Sequence, residues 1–305
     1  MTDSSSMRMA YIAETVYGVT PATPVFKTMR VTGESIKPNK KYVSSDEIRA
    51  DGNIPDLTLV GSEAGGSIPF ELSYGSYDDL FEGLFRNTWA ANVLKNGVTP
   101  KSYTLEKLMV AESGNQFHRY PGTRVAGLSL SLKSQDKVTG SFDVLCKGMT
   151  ATQTIVTGAT YTAANGNPVI NAANNVANLA ITGVTSPQIM SLNLKISNNA
   201  AQQPVVGQVD SKGIRHGSMM ITGDLEAYFV DKDLLDLYLN DTLSSLSLDM
   251  GGVSGLKYNL NLPKLKFTDG SVPNPGKDQD VMAKMSFQAI YDSTSGATAV
   301  LTRTP

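Results

Sequence analysis

The chain has one cysteine, Cys146, and only two histidines, His118 and His216, in 305 residues. One cysteine excludes an intrachain disulfide and any cysteine-rich zinc site. Neither histidine has a partner at the His-x-x-x-His spacing of a helical metal site, so each reads as a solvated or hydrogen-bonded side chain. Cys146 follows Phe142-Asp143-Val144-Leu145 and reads as a small buried hydrophobe in a strand. Aromatics amount to 7%, too few and too dispersed for a platform that stacks single-stranded nucleic acid. Charged residues amount to 18%, below the roughly 25% usual for soluble domains. The net charge of −2 gives no general attraction to nucleic acid or to an acidic surface. No apolar run reaches the roughly 18–20 residues that a membrane helix needs. The start Met1-Thr2-Asp3-Ser4-Ser5-Ser6 lacks the basic and apolar stretches of a secretory signal. Synthesis in a cytoplasm is therefore expected.

Catalytic signatures are also missing. There is no G-x-S-x-G elbow and no Walker motif. Gly61-Ser62-Glu63-Ala64-Gly65-Gly66 is glycine-rich, but a strand pattern follows it where a phosphate loop needs a helix N-terminus. The paired acids Asp78-Asp79 and Asp231/Asp233 fall at the starts of helical patterns, where the helix dipole accounts for them. Lys277-Asp278-Gln279-Asp280 lacks the spacing of a calcium loop. No catalytic, cofactor-binding or metal-ligating residue is assigned, and neither an enzyme nor a cofactor is expected.

Period-two alternation dominates what is present. Ile68, Phe70, Leu72 and Tyr74 alternate with polar residues and Pro69. Leu128, Leu130 and Leu132 alternate with Ser129, Ser131 and Lys133, turn at Ser134-Gln135-Asp136-Lys137, and return through Val138 to Leu145 as a hairpin. Leu192, Leu194 and Ile196 alternate with Asn193, Lys195 and Ser197, and Tyr258, Leu260 and Leu262 with Asn259 and Asn261. Two short helices are expected, at about 76–86 with Ser76 as N-cap, and at about 231–240 with Asp231 as N-cap.

The order of these elements repeats. A strand led by Gly65-Gly66 precedes the helix that carries Leu80, Phe81, Leu84 and Phe85. A strand led by Gly217 precedes the helix that carries Leu234, Leu235 and Leu237. Residues 1–28 read as an N-terminal arm, 29–149 as a first unit, 150–187 as a small, polar connection, and 188–305 as a second unit with the C-terminal tail. The charged stretch between about Val43 and Leu57 reads as a long loop or hairpin tip, and loops of that length usually have a function.

The segment Tyr17-Gly18-Val19-Thr20-Pro21-Ala22-Thr23-Pro24, with Met29-Arg30-Val31-Thr32-Gly33-Glu34-Ser35 after it, resembles the start of major tail tube proteins of long-tailed, non-contractile bacteriophages. So do Ser44-Ser45-Asp46-Glu47-Ile48-Arg49 and the run from Gly65 through Leu80. The resemblance implies a mainly β fold of two tail-tube-like antiparallel β-sandwich units. Each would carry one short flanking helix, and the strands would join a ring-spanning barrel. It implies a structural virion protein that self-assembles into stacked rings, the conduit for genome ejection, located in the virion tail. The implied partners are further copies of the chain and the tape measure, tail terminator and tip proteins. DNA would pass without specific binding, and no membrane is involved. Six positions per ring and two units per chain give a homotrimer with pseudo-sixfold symmetry, with a hexamer as the alternative. The inter-ring contact candidates are Asp46, Glu47, Arg49, Asp51 and Asn53. The lumen-facing candidates are Ser129, Ser131, Asn193, Lys195, Asn259 and Asn261. A β-sandwich adhesin or carbohydrate-binding module is the competing expectation, and it would need exposed aromatic platforms.

Overall fold

The alternating segments form strands wherever they can bury one face, and a computed structural model describes residues 6–252 and 255–305. The first half runs β1 (Arg8–Ala13), β2 (Val25–Thr28), β3 (Lys37–Ser44), β4 (Leu57–Glu71), α1 (Asp78–Phe85), β5 (Val93–Lys95), β6 (Tyr103–Ala111), β7 (Gly114–Lys133) and β8 (Thr139–Cys146). The middle holds β9 (Thr150–Thr152), β10 (Thr160–Thr162) and β11 (Val176–Ile181). The second half runs β12 (Ile189–Ser197), β13 (Ala201–Gln203), β14 (Gly213–Arg215), β15 (Met220–Tyr228), α2 (Asp233–Leu239), β16 (Ser244–Gly251), β17 (Lys257–Ser271), β18 (Met282–Ala289) and β19 (Val300–Thr304). The fold is mainly β, with a curled, half-barrel sheet and two short helices.

One antiparallel layer reads β3-β4-β8-β7-β12-β15-β18-β17 across its width. β7 is long enough to serve two layers. Its first part pairs with β6 and β9, and its second part with β8 and β12. β17 does the same, pairing first with β16 and β19 and then with β18. The core lies between the layers. Leu128, Leu130, Leu192, Leu194 and Ile196 line its inner side, and Met250, Tyr258, Leu260 and Leu301 face them. Each such side chain contributes roughly 1.5–3 kcal/mol on full burial. The β7–β12 ladder is therefore a core seam and not a weak contact between lobes.

The two halves pair in the same order. β3–β4, β4–β8, β8–β7 and β7–β6 in the first correspond to β12–β15, β15–β18, β18–β17 and β17–β16 in the second. Irregularities coincide as well. The β7–β8 ladder slips between Val125 and Gly127, and the β17–β18 ladder between Phe267 and Asp269. The β6–β7 ladder slips between Tyr103 and Leu105, opposite Tyr120 and Thr123, and the β16–β17 ladder between Ser244 and Leu246, opposite Leu262 and Leu265. A proline, Pro121 or Pro263, lies in each of these last two bulges, where no ladder N–H is required.

Glycine spacing differs from the expectation. Gly66 of β4 matches Gly223 of β15, and Gly217 lies outside the strand. A Cβ on Gly66 would sit 2.5 Å from the Ser35 carbonyl oxygen, and one on Gly223 would sit 2.8 Å from that of Asn193. Close approach of the preceding strand's backbone is what requires glycine at both.

The helices form where expected, and the Asp231 carboxylate accepts from the Asp233 N–H at the start of α2 (2.9 Å). The N-cap of α1 is Tyr77 and that of α2 is Lys232, with no side-chain cap bond at either. Ser76 instead shares a hydroxyl–hydroxyl bond with Ser73 (2.6 Å). The arm expected over residues 1–28 is corrected for its larger part. β1 pairs with β6 and β2 with β1, burying Met9, Ala10, Tyr11 and Phe26. Glu106, fully buried, ties this layer together by accepting from Arg8 (3.3 Å), Arg119 (2.8 Å) and the Tyr161 hydroxyl (2.6 Å). Residues 1–5 lie outside the described residues. The segment 150–187 supplies β9, β10 and β11, which join β7, β2 and β16 in turn.

Candidate functional site

The surfaces that a β protein of this kind offers are a polar sheet face, its free strand edges and its protruding loops. The polar face lies on the side of the eight-strand layer away from the core. Apolar residues of β7 and β12 turn inward, so Ser129, Ser131, Asn193 and Lys195 turn out. Ser129 lies opposite Lys195 and Ser131 opposite Asn193, and the Ser131 hydroxyl donates to Asn193 Oδ1 (2.7 Å). The face continues through Asp224, which accepts from the Ser286 hydroxyl (2.6 Å), and through the Glu226–Lys284 pair (3.4 Å). Curling makes it concave, with depressions of about 350 and 380 Å³ over these residues.

Asn259 and Asn261 lie elsewhere. They occupy β17 where it pairs with β16 and β19 in the other layer, with Tyr258, Leu260 and Leu262 turned to the core between them and β7. Asn259 donates to Asp249 Oδ1 (2.6 Å), and Asp249 also takes Lys257 (3.0 Å) and Asn178 (2.9 Å). The core separates the two sets of polar residues, so they cannot line one wall. Period-two alternation identifies a polar face but not which layer carries it.

The five loop residues Asp46, Glu47, Arg49, Asp51 and Asn53 come together at the tip between β3 and β4. Arg49 makes a two-pronged bond to Asp51 (3.0 and 2.8 Å), and the Asn53 N–H donates to Asp51 Oδ1 (3.2 Å). The Arg49 guanidinium holds the Asp51 carboxyl well below the usual carboxylate range. The tip therefore has order of its own, yet it leaves Ile48 and Ile54 at 99% and 74% exposure. Every residue of β3 is exposed, as are Leu57, Leu59 and Val60 of β4. The base of the ribbon is braced by the loop after β13, where the Ser62 N–H donates to the Val209 carbonyl (2.9 Å).

The acids at the start of α1 do more than answer the helix dipole. Asp78 accepts from Arg303 (2.5 Å) and from the Tyr258 hydroxyl, which joins the helix to the second half. Asp79 accepts from Tyr11 (2.9 Å) and Lys27 (2.5 Å), which joins it to β1 and β2. Both acids are occupied by structural partners. His216 departs from its expected hydrogen bonding. Neither ring nitrogen has a partner among the described residues, and burial, with Arg124 and Arg86 nearby, lowers its pKa to about 4. Cys146 is buried as expected, accepts from the Thr123 hydroxyl (3.1 Å), and has its thiol pushed up to about 12 by burial. Among the described residues no cluster of His, Cys, Asp and Glu could hold a metal ion.

A two-layer β fold with a curled polar face, exposed edges and a long exposed ribbon is built for association. The sequence model of the phage tail tube protein family matches residues 4–289. The chain belongs to that family. It is a structural, non-enzymatic protein of the virion tail that assembles into a tube. No curated protein matches the chain. Sequence reasoning missed the residues that set the sheet register, Gly223 and the Pro121/Pro263 pair. An alignment anchored on those prolines would have found them, because Tyr120-Pro121 and Leu262-Pro263 stand at equal distances before Val125 and Phe267.

Proposed function

We propose that this tail tube protein is two copies of one tube unit, residues 29–149 and 188–305 joined by 150–187. Three chains close a ring of six equivalent positions, and the rings stack into the conduit for the genome. The observation that carries this reading is the repeated pairing scheme with its coincident bulges. The family resemblance supplies the six positions, and two units per chain then require three chains. A second half hung outside the tube as decoration would not share a sheet with the first, whereas here β12 extends the ladder of β7.

The concave face with Ser129, Ser131, Asn193 and Lys195 is assigned to the lumen. It mixes hydroxyls, amides and both signs of charge. Tight DNA binding needs Lys and Arg to neutralise phosphates, and a wall of this kind lets DNA slide. Asn259 and Asn261 are assigned to the opposite, outer side. The tip with Asp46, Glu47, Arg49, Asp51 and Asn53 is assigned to the next ring, because exposed Ile48 and Ile54 gain burial only against a partner. Tape measure, terminator and tip proteins complete the tail, and synthesis takes place in the host cytoplasm.

Deleting residues 45–55 tests the stacking role. The variant should keep the wild-type circular dichroism spectrum and melt cooperatively, yet give single rings or short stacks in electron micrographs. Normal long tubes from this variant would remove the loop from the ring–ring contact.

A further inference from the structure

With Arg8 Nε the exception, the buried side-chain polar atoms that lack a partner among the described residues gather at one place. They are Arg86 Nε, Arg124 Nε, the Tyr17 hydroxyl, both ring nitrogens of His216, and the amide oxygens of Asn198 and Gln202. The Arg86 guanidinium donates to the Gly217 carbonyl (2.9 Å) and the Arg124 guanidinium to that of Ile214, so two cations grip the chain on either side of His216. The Arg124 Cζ stands 4.8 Å from the centre of the Tyr17 ring. The Gly217 N–H donates to the Asn198 carbonyl (2.8 Å), and Gln202 pairs with Ile214 across β13 and β14. Both amides spend their nitrogens on backbone carbonyls, Asn198 on Leu84 and Val125 and Gln202 on Cys146. Buried polar groups normally find partners. Here six separate stretches of chain leave theirs unpaired together.

The charge at this place is uncompensated. Arg86 is only 9% exposed, and no acid among the described residues acts on it. Glu14 stands near Arg124, but its carboxylate is occupied by the Gly18 N–H, the Gly122 N–H and the Thr104 hydroxyl (2.8 Å each). A charge held out of water without a counter-charge is costly. The end of α1 does not account for Arg86 either. The carbonyls of Leu84, Phe85 and Arg86 already accept from Asn198 (2.8 Å), the Gly97 N–H (2.7 Å) and the Thr99 N–H (2.9 Å).

We infer that Arg86, Arg124 and Tyr17 bind a small oxyanion of the phosphate class where α1, β7 and β14 meet. The two guanidiniums and the phenol supply donors for phosphoryl oxygens, and bonds from the guanidiniums are charge-assisted. The amide oxygens of Asn198 and Gln202 are acceptors, which suits the P–OH that phosphate keeps at neutral pH and sulfate lacks. His216 is the movable wall. It is half-buried and no hydrogen bond holds its ring, so it can swing aside to admit an ion. The burial of Arg86 selects a small ion over a polymer. The site joins the halves of the chain, since Arg86 and Arg124 belong to the first and the segment 214–217 to the second.

Calorimetric titration of unassembled wild-type chain with inorganic phosphate, at an ionic strength held constant with chloride, tests the assignment. One site per chain is expected, with a Kd below about 1 mM. Sulfate should bind at least about tenfold more weakly, because it leaves buried acceptors unpaired. Arg124→Gln should weaken phosphate at least about tenfold through the lost charge-assisted bond. His216→Glu sets a carboxylate between the two guanidiniums. It should raise Tm in phosphate-free buffer and abolish phosphate binding, which keeps the test decisive if Arg86→Gln fails to fold. Wild-type chain without saturable phosphate binding would overturn the inference, as would binding that persists unchanged in both Arg124→Gln and His216→Glu. Sulfate that binds as tightly as phosphate would overturn the choice of ligand, and a single-stranded oligonucleotide that competes with phosphate would overturn the restriction to a small ion.

Discussion

Gly66→Ala is expected to destabilise the chain by about 1–2 kcal/mol. The added Cβ would lie 2.5 Å from Ser35 O, 2.6 Å from Ser35 C and 2.7 Å from Ile36 Cα. All three are backbone atoms, so no side-chain rotation can relieve the contact, and β4 and the segment before β3 must separate. Overpacking of this kind costs about 1–3 kcal/mol. The narrower unfolded ensemble of alanine returns about 0.4–1 kcal/mol. For a chain of this size about 1–2 kcal/mol lowers Tm by roughly 2–3 °C, which thermal unfolding of unassembled protein measures. Gly223→Ala should cost less, because its nearest contact is the movable tip of Phe287 (2.4 Å), ahead of Asn193 O (2.8 Å). Gly166→Ala meets nothing within 4 Å and should stay within about 0.5 kcal/mol of wild type. A Gly66→Ala variant as stable as Gly166→Ala would refute the close strand approach.

Acid should destabilise the fold through His216. Burial lowers its pKa from the ordinary 6.5 to about 4 on folding, so its contribution is complete above pH 6.5 and is lost as pH falls toward 4. Partial exposure reduces the effect to about 1–2 kcal/mol, and His216→Gln should flatten the Tm–pH profile in that window; an unchanged slope would assign it to other groups. Glu106→Ala strands Arg8 and Arg119 and should cost about 3 kcal/mol, with hydrogen exchange rising first in β1. Wild-type exchange in β1 of this variant would show that the carboxylate does not hold the strand.

Much of this fold was legible because one-sided burial writes itself as period two. Leu128-Ser129-Leu130-Ser131-Leu132 and Leu192-Asn193-Leu194-Lys195-Ile196 are strands in sequence and in structure, and neither can slip by one residue without exposing its leucines. The two helices were visible as apolar pairs after acidic starts. The first strands were not. Met9-Ala10-Tyr11 is too short to show a period, and what buries it, Lys107 to Leu105 on β6, lies far along the chain. The repeat was visible as an order of elements but with the wrong glycine, because Gly217 and Gly223 differ only in which backbone lies beside them. The polar face was half legible. Alternation identifies Ser129 and Asn259 equally as outward, and only the layer order decides which outside each one faces.

In the proposed ring each chain occupies two equivalent positions. Electron cryomicroscopy of tubes grown from the purified protein, with symmetry determined without imposing it, tests this most directly. Rings of three chains, six similar units around the lumen and true threefold symmetry are the expected result. Rings of six chains with true sixfold symmetry, the second half lying outside the wall, would contradict it.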